Sequence, residues 1–142
     1  MDEALIGSLI ASTLRVSTPL ILCALAGLLS ERSGVIDIGL EGKMLFAAFA
    51  AGAAGVSFGS TTMALLIAMG TTVLLSWLHG LACVSHRGDQ VVSGVAINII
   101  AVGMTAVLGI AWFAQGGQTP PVTTAVRMQA LMPGVVDALQ GI

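Results

Sequence analysis

The sequence predicts an all-α, polytopic membrane protein with about four transmembrane helices and a broken or re-entrant segment between the first two. Composition is the first reason: of the 142 residues, 56% are hydrophobic and only 8% are charged, whereas soluble chains carry about 25% charged residues. The mean hydropathy of +1.01 is the second. The third is that the apolar residues form runs long enough to cross a hydrocarbon core of about 30 Å.

Polar stretches separate four apolar runs, which we treat as one domain. The predicted spans lie near residues 4–29, 44–58, 62–84 and 91–113, and a loop follows at 114–142. The second run is too short to cross alone unless part of the charged stretch before it enters the membrane, and this predicts the broken or re-entrant segment. The stretch from Ala114 to Pro121 should stop the fourth helix because it contains consecutive glycines and consecutive prolines.

Positive charges in the short connections predict the orientation. Arg32, Lys43 and Arg87 fall in the first-to-second and third-to-fourth connections, and such cations favour the cytoplasmic side. These two connections should therefore share one side of the membrane. The net charge of −2 provides no basic field for nucleic acid, so we expect no nucleic acid as a partner. Membrane lipid is the expected partner of the apolar runs.

Small residues form one face of the second run. Ala47, Ala51, Gly55 and Gly59 recur every fourth residue and should lie on one side of a helix. Such a face lets helix backbones approach closely in lipid, so we expect helix packing there. The alternative is that these small side chains line a passage.

Two carboxylates beside the apolar runs are candidates for a substrate path. Asp37 and Glu41 are four residues apart and would share a helix face if that stretch is helical. Lys43 and Arg32 are their possible counter-ions. Two interpretations stay open: ion pairs that hold a broken helix in place, or acceptors for the hydroxyl groups of a polar solute.

Polar residues of the fourth run extend this candidate path. Asn98 shares a helix face with Gly94, Ala101 and Thr105. An amide in hydrocarbon needs a partner, so Asn98 either forms interhelical hydrogen bonds or lines a translocation path. The candidate substrate path therefore comprises Asp37, Glu41, Asn98 and Thr105.

No residue pattern indicates an enzyme, a metal site or a cofactor. His79 and His86 are seven residues apart, but no cysteine or carboxylate cluster accompanies them at ligand spacing. Cys23 and Cys83 lie in apolar runs, where we expect them to be packing residues. The sequence contains no nucleophile elbow, zinc-protease pattern or phosphate-binding loop, so we expect no catalytic residues and no ATPase site of its own.

Two blocks of sequence resemble a known family. The stretch ERSGVIDIGLEG, from Glu31 to Gly42, is similar to a characteristic block of ABC-importer permeases for nucleosides and simple sugars, which are related to ribose and branched-chain amino-acid permeases. The stretch DQVVSGVAIN, from Asp89 to Asn98, resembles a second block of that family. The resemblance implies a multi-pass permease subunit in the bacterial cytoplasmic (inner) membrane. It also implies an ABC ATPase subunit, a sister permease or second copy, and an extracytoplasmic solute-binding protein as partners.

The sequence departs from this family in three ways. Position 37 is more often Asn in the family, and Lys43 stands where an uncharged residue is usual. Family members are also much longer, so we expect the chain to be a fragment, a truncated gene product or half of a split permease. The alternative function is a non-transporting membrane scaffold or assembly subunit, which would have little use for Asp37, Glu41 and Asn98.

Overall fold

The computed structural model describes residues 3–116 and 118–123, and within these ranges the chain consists of helices and connecting loops. The helices are α1 (Glu3–Arg32), α2 (Leu40–Phe58), α3 (Thr61–Gly80) and α4 (Gln90–Phe113). A π-helical turn, Leu81–Ser85, prolongs α3. The described ranges contain no strand, and the predicted all-α membrane fold is confirmed.

Three helices of the described ranges are long and apolar enough to cross a membrane. They are Leu5–Arg32, Thr61–Ser85 and Gln90–Phe113, which makes the chain a multi-pass membrane protein. α2 does not reach this standard because its 19 residues include Glu41 and Lys43 near the start. The full crossing expected for residues 44–58 therefore stays a prediction.

The expected break separates α1 from α2. Residues 33–39 are not helical, and Gly34 ends the first helix with a φ of 86°, which side chains other than glycine rarely adopt. α2 then begins at Leu40 rather than at residue 44. Glu41 and Lys43, the last charged residues of the connecting stretch, consequently lie in the first turns of α2.

Lys43 does not belong to the connection, contrary to the expectation from sequence. It lies within α2 and is 1% exposed. A buried ammonium group gives no information on which side a loop faces. The orientation expected from loop charges therefore depends on Arg32 and Arg87 alone.

The two polar connections meet at one end of the molecule. The Ile36 amide donates a hydrogen bond of 2.7 Å to Gln90 Oε1, in the first turn of α4. Gln90 Nε2 donates in return to Gly34 O at 3.4 Å. The loop after α1 and the loop before α4 therefore lie side by side. This agrees with the expectation that the two connections share one side of the membrane.

α2 packs against both α3 and α4. The rings of Phe49 on α2 and Trp112 on α4 stack with centroids 6.3 Å apart. Five residues form most of the buried face in the middle of α2: Phe49, Ala50, Ala53, Ala54 and Gly55. Small side chains thus bring three helices together, as is usual where lipid removes the hydrophobic drive for association.

The small-residue face expected on α2 is shifted in the structure. Gly59 does not belong to it, because this residue lies beyond the helix, is exposed, and ends α2 with a left-handed φ of 62°. Gly55 is buried, whereas Ala47 and Ala51 are half-buried. The packing role of these three residues stays a prediction.

α1 lies beside the other helices with most of its surface uncovered. It meets the start of α2, where Cys23 Sγ lies 3.9 Å from Met44 Sδ and a Cβ on Gly27 would lie 3.3 Å from Leu40 Cδ1. The large apolar side chains of α1 are 43 to 72% exposed. An exposed apolar surface of this size faces lipid or another protein segment.

The described part of the predicted loop 114–142 returns to the helices instead of leaving them. A Cβ placed on Gly52, in α2, would lie 3.3 Å from Thr119 Cβ. Residue 117 and residues 124–142 of that loop lie outside the described residues.

Cysteine labelling should test whether α2 crosses the membrane. In a chain whose native cysteines are replaced by alanine, Glu31→Cys and His86→Cys are expected to react from one side, because they flank the connections that meet at one end. Ser57→Cys, at the far end of α2, is expected to react from the other side. The measurement is reaction with a membrane-impermeant maleimide on right-side-out and inverted vesicles. Labelling of Ser57→Cys and Glu31→Cys from the same side would show that α2 is re-entrant.

Candidate functional site

A buried ion pair holds the break between α1 and α2. Lys43 Nζ, on α2, contacts Asp37 Oδ2 in the loop before the helix, and the side chains are only 2% and 10% exposed. Asp37 Oδ1 also accepts a hydrogen bond from the Gly39 amide at 3.1 Å. Burying two charges is favourable only when they are paired and hydrogen-bonded, and both conditions are met here. Lys43 is thus the counter-ion of Asp37, as the sequence suggested.

The condition for Asp37 and Glu41 to share a helix face is not met. Asp37 precedes α2 in non-helical backbone, so the spacing of four residues does not place the two carboxylates together. Glu41 is exposed, and neither it nor Arg32 forms an ion pair within residues 3–116 and 118–123. The expected pairing of Glu41 with Lys43 or Arg32 is therefore not observed.

A histidine of α3 extends the ion pair towards the other helices. His79 is 2% exposed, and its Nε2 lies 3.8 Å from Asp37 Oδ1. Its Nδ1 lies 3.0 Å from Ser93 Oγ on α4, and the thiol of Cys83 lies 3.7 Å from the ring. The loop, α2, α3 and α4 thus meet in one polar cluster, which we call the buried cluster: Asp37, Lys43, His79, Cys83 and Ser93.

The contacts of His79 were not predicted from the sequence, in which its spacing from His86 was weighed only for a metal site that was not expected. The available signal was the spacing of four between His79 and Cys83, which places both on one face of a helix. The carboxylate that His79 contacts, Asp37, lies in a loop 42 positions earlier in the chain, and no local sequence pattern indicates such a contact. Among the described residues, no group of three His, Cys, Asp or Glu side chains is arranged to hold a metal ion.

Asn98 caps α2 from the neighbouring helix. The N-cap residue Gly39 has no side chain to offer, and the first amides of a helix lack partners within the helix. Asn98 Oδ1 accepts from the Gly42 amide at 2.8 Å, and its Nδ2 donates to Ile38 O at 3.2 Å. Interhelical hydrogen bonding, one of the two interpretations open from sequence, is therefore observed. A role for Asn98 in a solute path stays a prediction.

Glycines allow this close contact between α2 and α4. A Cβ on Gly42 would lie 2.7 Å from the Asn98 Cα, and a Cβ on Gly94 would lie 2.9 Å from the Gly39 amide nitrogen. Contacts this short with backbone atoms are not tolerated without a shift of the helices. The glycines thus bring the amide of Asn98 within reach of the start of α2.

Glu41 and Asn98 line a groove on the outer side of this contact. The groove has a volume of about 560 Å³, and we call it the first groove. Its lining residues are Glu41, Gly42, Met44, Leu45, Ala48, Asn98, Ile99 and Val102. An apolar wall with a carboxylate and an amide suits a solute that has both an apolar face and hydrogen-bonding groups.

Thr105 lines a second groove of about 370 Å³, further along α2 and α4. The second groove is lined by Leu45, Ala48, Phe49, Thr105, Gln118 and Thr119. The two grooves share Leu45 and Ala48. The structure therefore brings three of the four predicted path residues to adjoining grooves, whereas Asp37 lies in the buried cluster. The assignment of all four to a solute path stays a prediction.

Removing the buried ammonium should destabilise the fold. Lys43→Met leaves the Asp37 carboxylate buried without a cation, and we expect the free energy of unfolding to fall by about 3 to 5 kcal/mol. The double variant Asp37→Asn/Lys43→Met should recover most of this loss because it removes both charges. Thermal unfolding in detergent measures the effect. The matched control is Glu41→Gln at an exposed position, with an expected change within about 0.5 kcal/mol. Wild-type stability of Lys43→Met would contradict the pairing.

A second pair of variants tests the close contact of α2 with α4. Gly42→Ala should lower the thermal midpoint in detergent, because the added Cβ meets the Asn98 backbone and overpacking costs about 1 to 3 kcal/mol. Gly70→Ala is the matched control, since a Cβ there meets no described atom within 4 Å and alanine favours a helix by about 1 kcal/mol over glycine. Equal midpoints for the two variants would show that α2 and α4 are further apart than described.

Comparison with known proteins identifies the family. Residues 9–134 match the family described as the branched-chain amino acid transport system permease component. The guanosine ABC transporter permease NupQ of Bacillus subtilis is 46% identical over 112 residues, which cover 74% of this chain and 35% of that protein. The nucleoside ABC transporter permease NupC of Lactococcus lactis is 37% identical over 114 residues, which cover 76% and 36%.

A third relative is named for a different solute. The putative glucose ABC transporter permease of Haloferax volcanii is 31% identical over 104 residues, which cover 73% of this chain and 32% of that protein. The chain thus spans about a third of the length of these curated relatives. No solved structure matches it. The resemblance seen in two sequence blocks is confirmed, and because the family match covers 9–134 of 142 residues, the chain belongs to the permease family of the branched-chain amino acid transport system.

Proposed function

We propose that this chain is part of the transmembrane permease subunit of an ABC importer that moves nucleosides or simple sugars across the bacterial cytoplasmic (inner) membrane. The observation that carries this proposal is the family match over residues 9–134, together with 46% identity to a guanosine permease. The three helices able to cross a membrane support the same function. The solute classes follow from the names of the relatives, which are guanosine, nucleoside and putative glucose permeases.

In this function the chain provides part of a passage and other subunits provide energy. ATP hydrolysis belongs to an ABC ATPase subunit, since the sequence has no phosphate-binding loop. An extracytoplasmic binding protein delivers the solute, and a sister permease or second copy completes the passage. The exposed apolar side chains of α1, α3 and α4 leave ample surface for further transmembrane segments and lipid.

The adjoining grooves are the part of the chain best suited to meet a solute. Glu41 is exposed, lacks an ion-pair partner among the described residues, and lines the first groove beside Asn98. A carboxylate accepts hydrogen bonds from hydroxyl groups about twice as strongly as a neutral group does. Asp37 is less suited, because Lys43 and the Gly39 amide already engage its oxygens.

Solute uptake tests the proposal directly. The full permease that contains this chain is co-expressed with its ATPase and binding protein in cells lacking other uptake routes, and uptake of radiolabelled guanosine and glucose is measured. We expect ATP-dependent uptake of one solute class, and about a tenfold loss in Glu41→Gln at unchanged membrane abundance, because the variant keeps its shape and loses its charge. Glu31→Gln, at the exposed end of α1, is the control and should leave uptake unchanged.

One outcome would contradict the transport function, and another would contradict only the role of Glu41. Normal membrane insertion without uptake of either solute class would favour the non-transporting scaffold. Unchanged uptake in Glu41→Gln would remove Glu41 from the path while leaving the transport function in place.

A further inference from the structure

Residues 118–123 form a segment that turns back into the helix bundle after α4. Thr119 is the point of contact, since a Cβ on Gly52 would lie 2.6 Å from Thr119 Oγ1. Gly52 lies six residues before Phe58, the last residue of α2, which corresponds to about 9 Å along a helix axis. Thr105 lies eight residues before Phe113, the end of α4, or about 12 Å. Thr119, near the start of this segment, therefore lies beside α2 about 9 Å before the end of that helix.

The sequence of the segment suits this position. The backbone at such a depth is not stabilised by water, so each amide needs a partner. Pro120 and Pro121 have no amide hydrogen, which reduces the number of donors that require one. The absence of a side chain at Gly52 provides the space for Thr119. Polar backbone is tolerated at this depth where it lines a cavity.

The side chains of this segment add polar groups to the second groove. Gln118 and Thr119 line it together with Thr105. Within residues 3–116 and 118–123, no hydrogen bond is formed by the side chain of Gln118 or Thr119. The Thr105 hydroxyl donates to Val102 O at 3.1 Å, so its oxygen keeps its lone pairs for an incoming donor. Gln118 is exposed and Thr119 is half-buried, so both side chains are accessible to a polar ligand in the second groove.

The chemistry of these three groups selects a class of ligand. Threonine hydroxyls and a glutamine amide each donate and accept hydrogen bonds, as do the hydroxyl groups of a sugar ring. Nucleosides and glucose share a hydroxylated ring and differ in the rest of the molecule. A subsite that contacts only this ring would serve either solute class. The shared Leu45 and Ala48 connect it with the first groove, where Glu41 and Asn98 lie.

We propose that Gln118 and Thr119, with Thr105, form a subsite that binds the hydroxyl groups of a sugar ring on the solute path. This proposal rests on the proposed function and adds two solute-contacting residues to it. The segment lines the path from the end of the bundle opposite to the break. The hydroxyl of Thr119 contributes a hydrogen bond to the passing solute, and Gly52 keeps that hydroxyl in place.

A disulfide cross-link tests the position of the segment without any transport assay. In the full permease with Cys23 and Cys83 replaced by alanine, Gly52→Cys/Thr119→Cys should cross-link under mild oxidation, because the 3.3 Å between the Cβ positions is close to the range of about 3.5 to 4.5 Å found in disulfides. Gly70→Cys/Thr119→Cys is the control and should remain reduced. Absence of the cross-link in the first pair, or equal cross-linking in both, would overturn the proposal.

Uptake measurements then test the contact with solute. Thr119→Val keeps the shape of the side chain and removes the hydroxyl, and we expect uptake to fall about 3- to 10-fold at unchanged membrane abundance. Thr119→Ser should restore most of the uptake because it returns the hydroxyl. Gly70→Ala, at a position that lines neither groove, should behave as wild type. A purely structural role for Thr119 would lower abundance together with uptake in the valine variant.

The outcomes separate this proposal from the one on which it rests. If the wild-type assembly takes up a nucleoside or sugar while Thr119→Val does so at the wild-type rate, the subsite is refuted and the transport function stands. If the wild-type assembly takes up neither, the transport function and the subsite both fail, whatever the cross-link shows.

Discussion

Lys43 and Asp37 are buried against each other where the chain breaks between α1 and α2, and the position of this break depends on their pairing. An unpaired charge at such a position is destabilising by several kcal/mol. Because Asp37 lies in the loop and Lys43 in the helix, the pair fastens non-helical backbone to the start of α2. His79 and Ser93 continue the contact to α3 and α4, so one polar cluster joins the loop of the break to α2, α3 and α4.

The backbone of the break imposes a second requirement, because amides in a membrane need partners. Gly39 has no side chain with which to cap α2. Asn98, on α4, instead accepts the hydrogen bond of the Gly42 amide. Glycines at positions 42 and 94 let the two helices approach closely enough for the contact. The same arrangement leaves Glu41 on the outer surface beside the first groove. The contacts that stabilise the break therefore also place Glu41 and Asn98 at the first groove.

The helices themselves were largely predictable from the sequence. Long apolar runs predicted spans near 62–84 and 91–113, and the structure has Thr61–Ser85 and Gln90–Phe113, because in lipid a helix satisfies its own backbone. The start of α2 was harder to predict. Its first turns contain Glu41 and Lys43, and the partners of Lys43 and of the Gly42 amide are Asp37 in the loop and Asn98 on α4.

The sequence by itself determined the all-α membrane class, the existence of a break and the family, since these follow from composition, from apolar runs and from two long blocks of residues. Only the tertiary structure decided which polar groups meet. It placed Asp37 against Lys43 and His79 and away from Glu41, and it placed Thr119 against Gly52. The physical reason is that these contacts join residues far apart along the chain, and their geometry depends on how closely glycines allow helices and loops to approach.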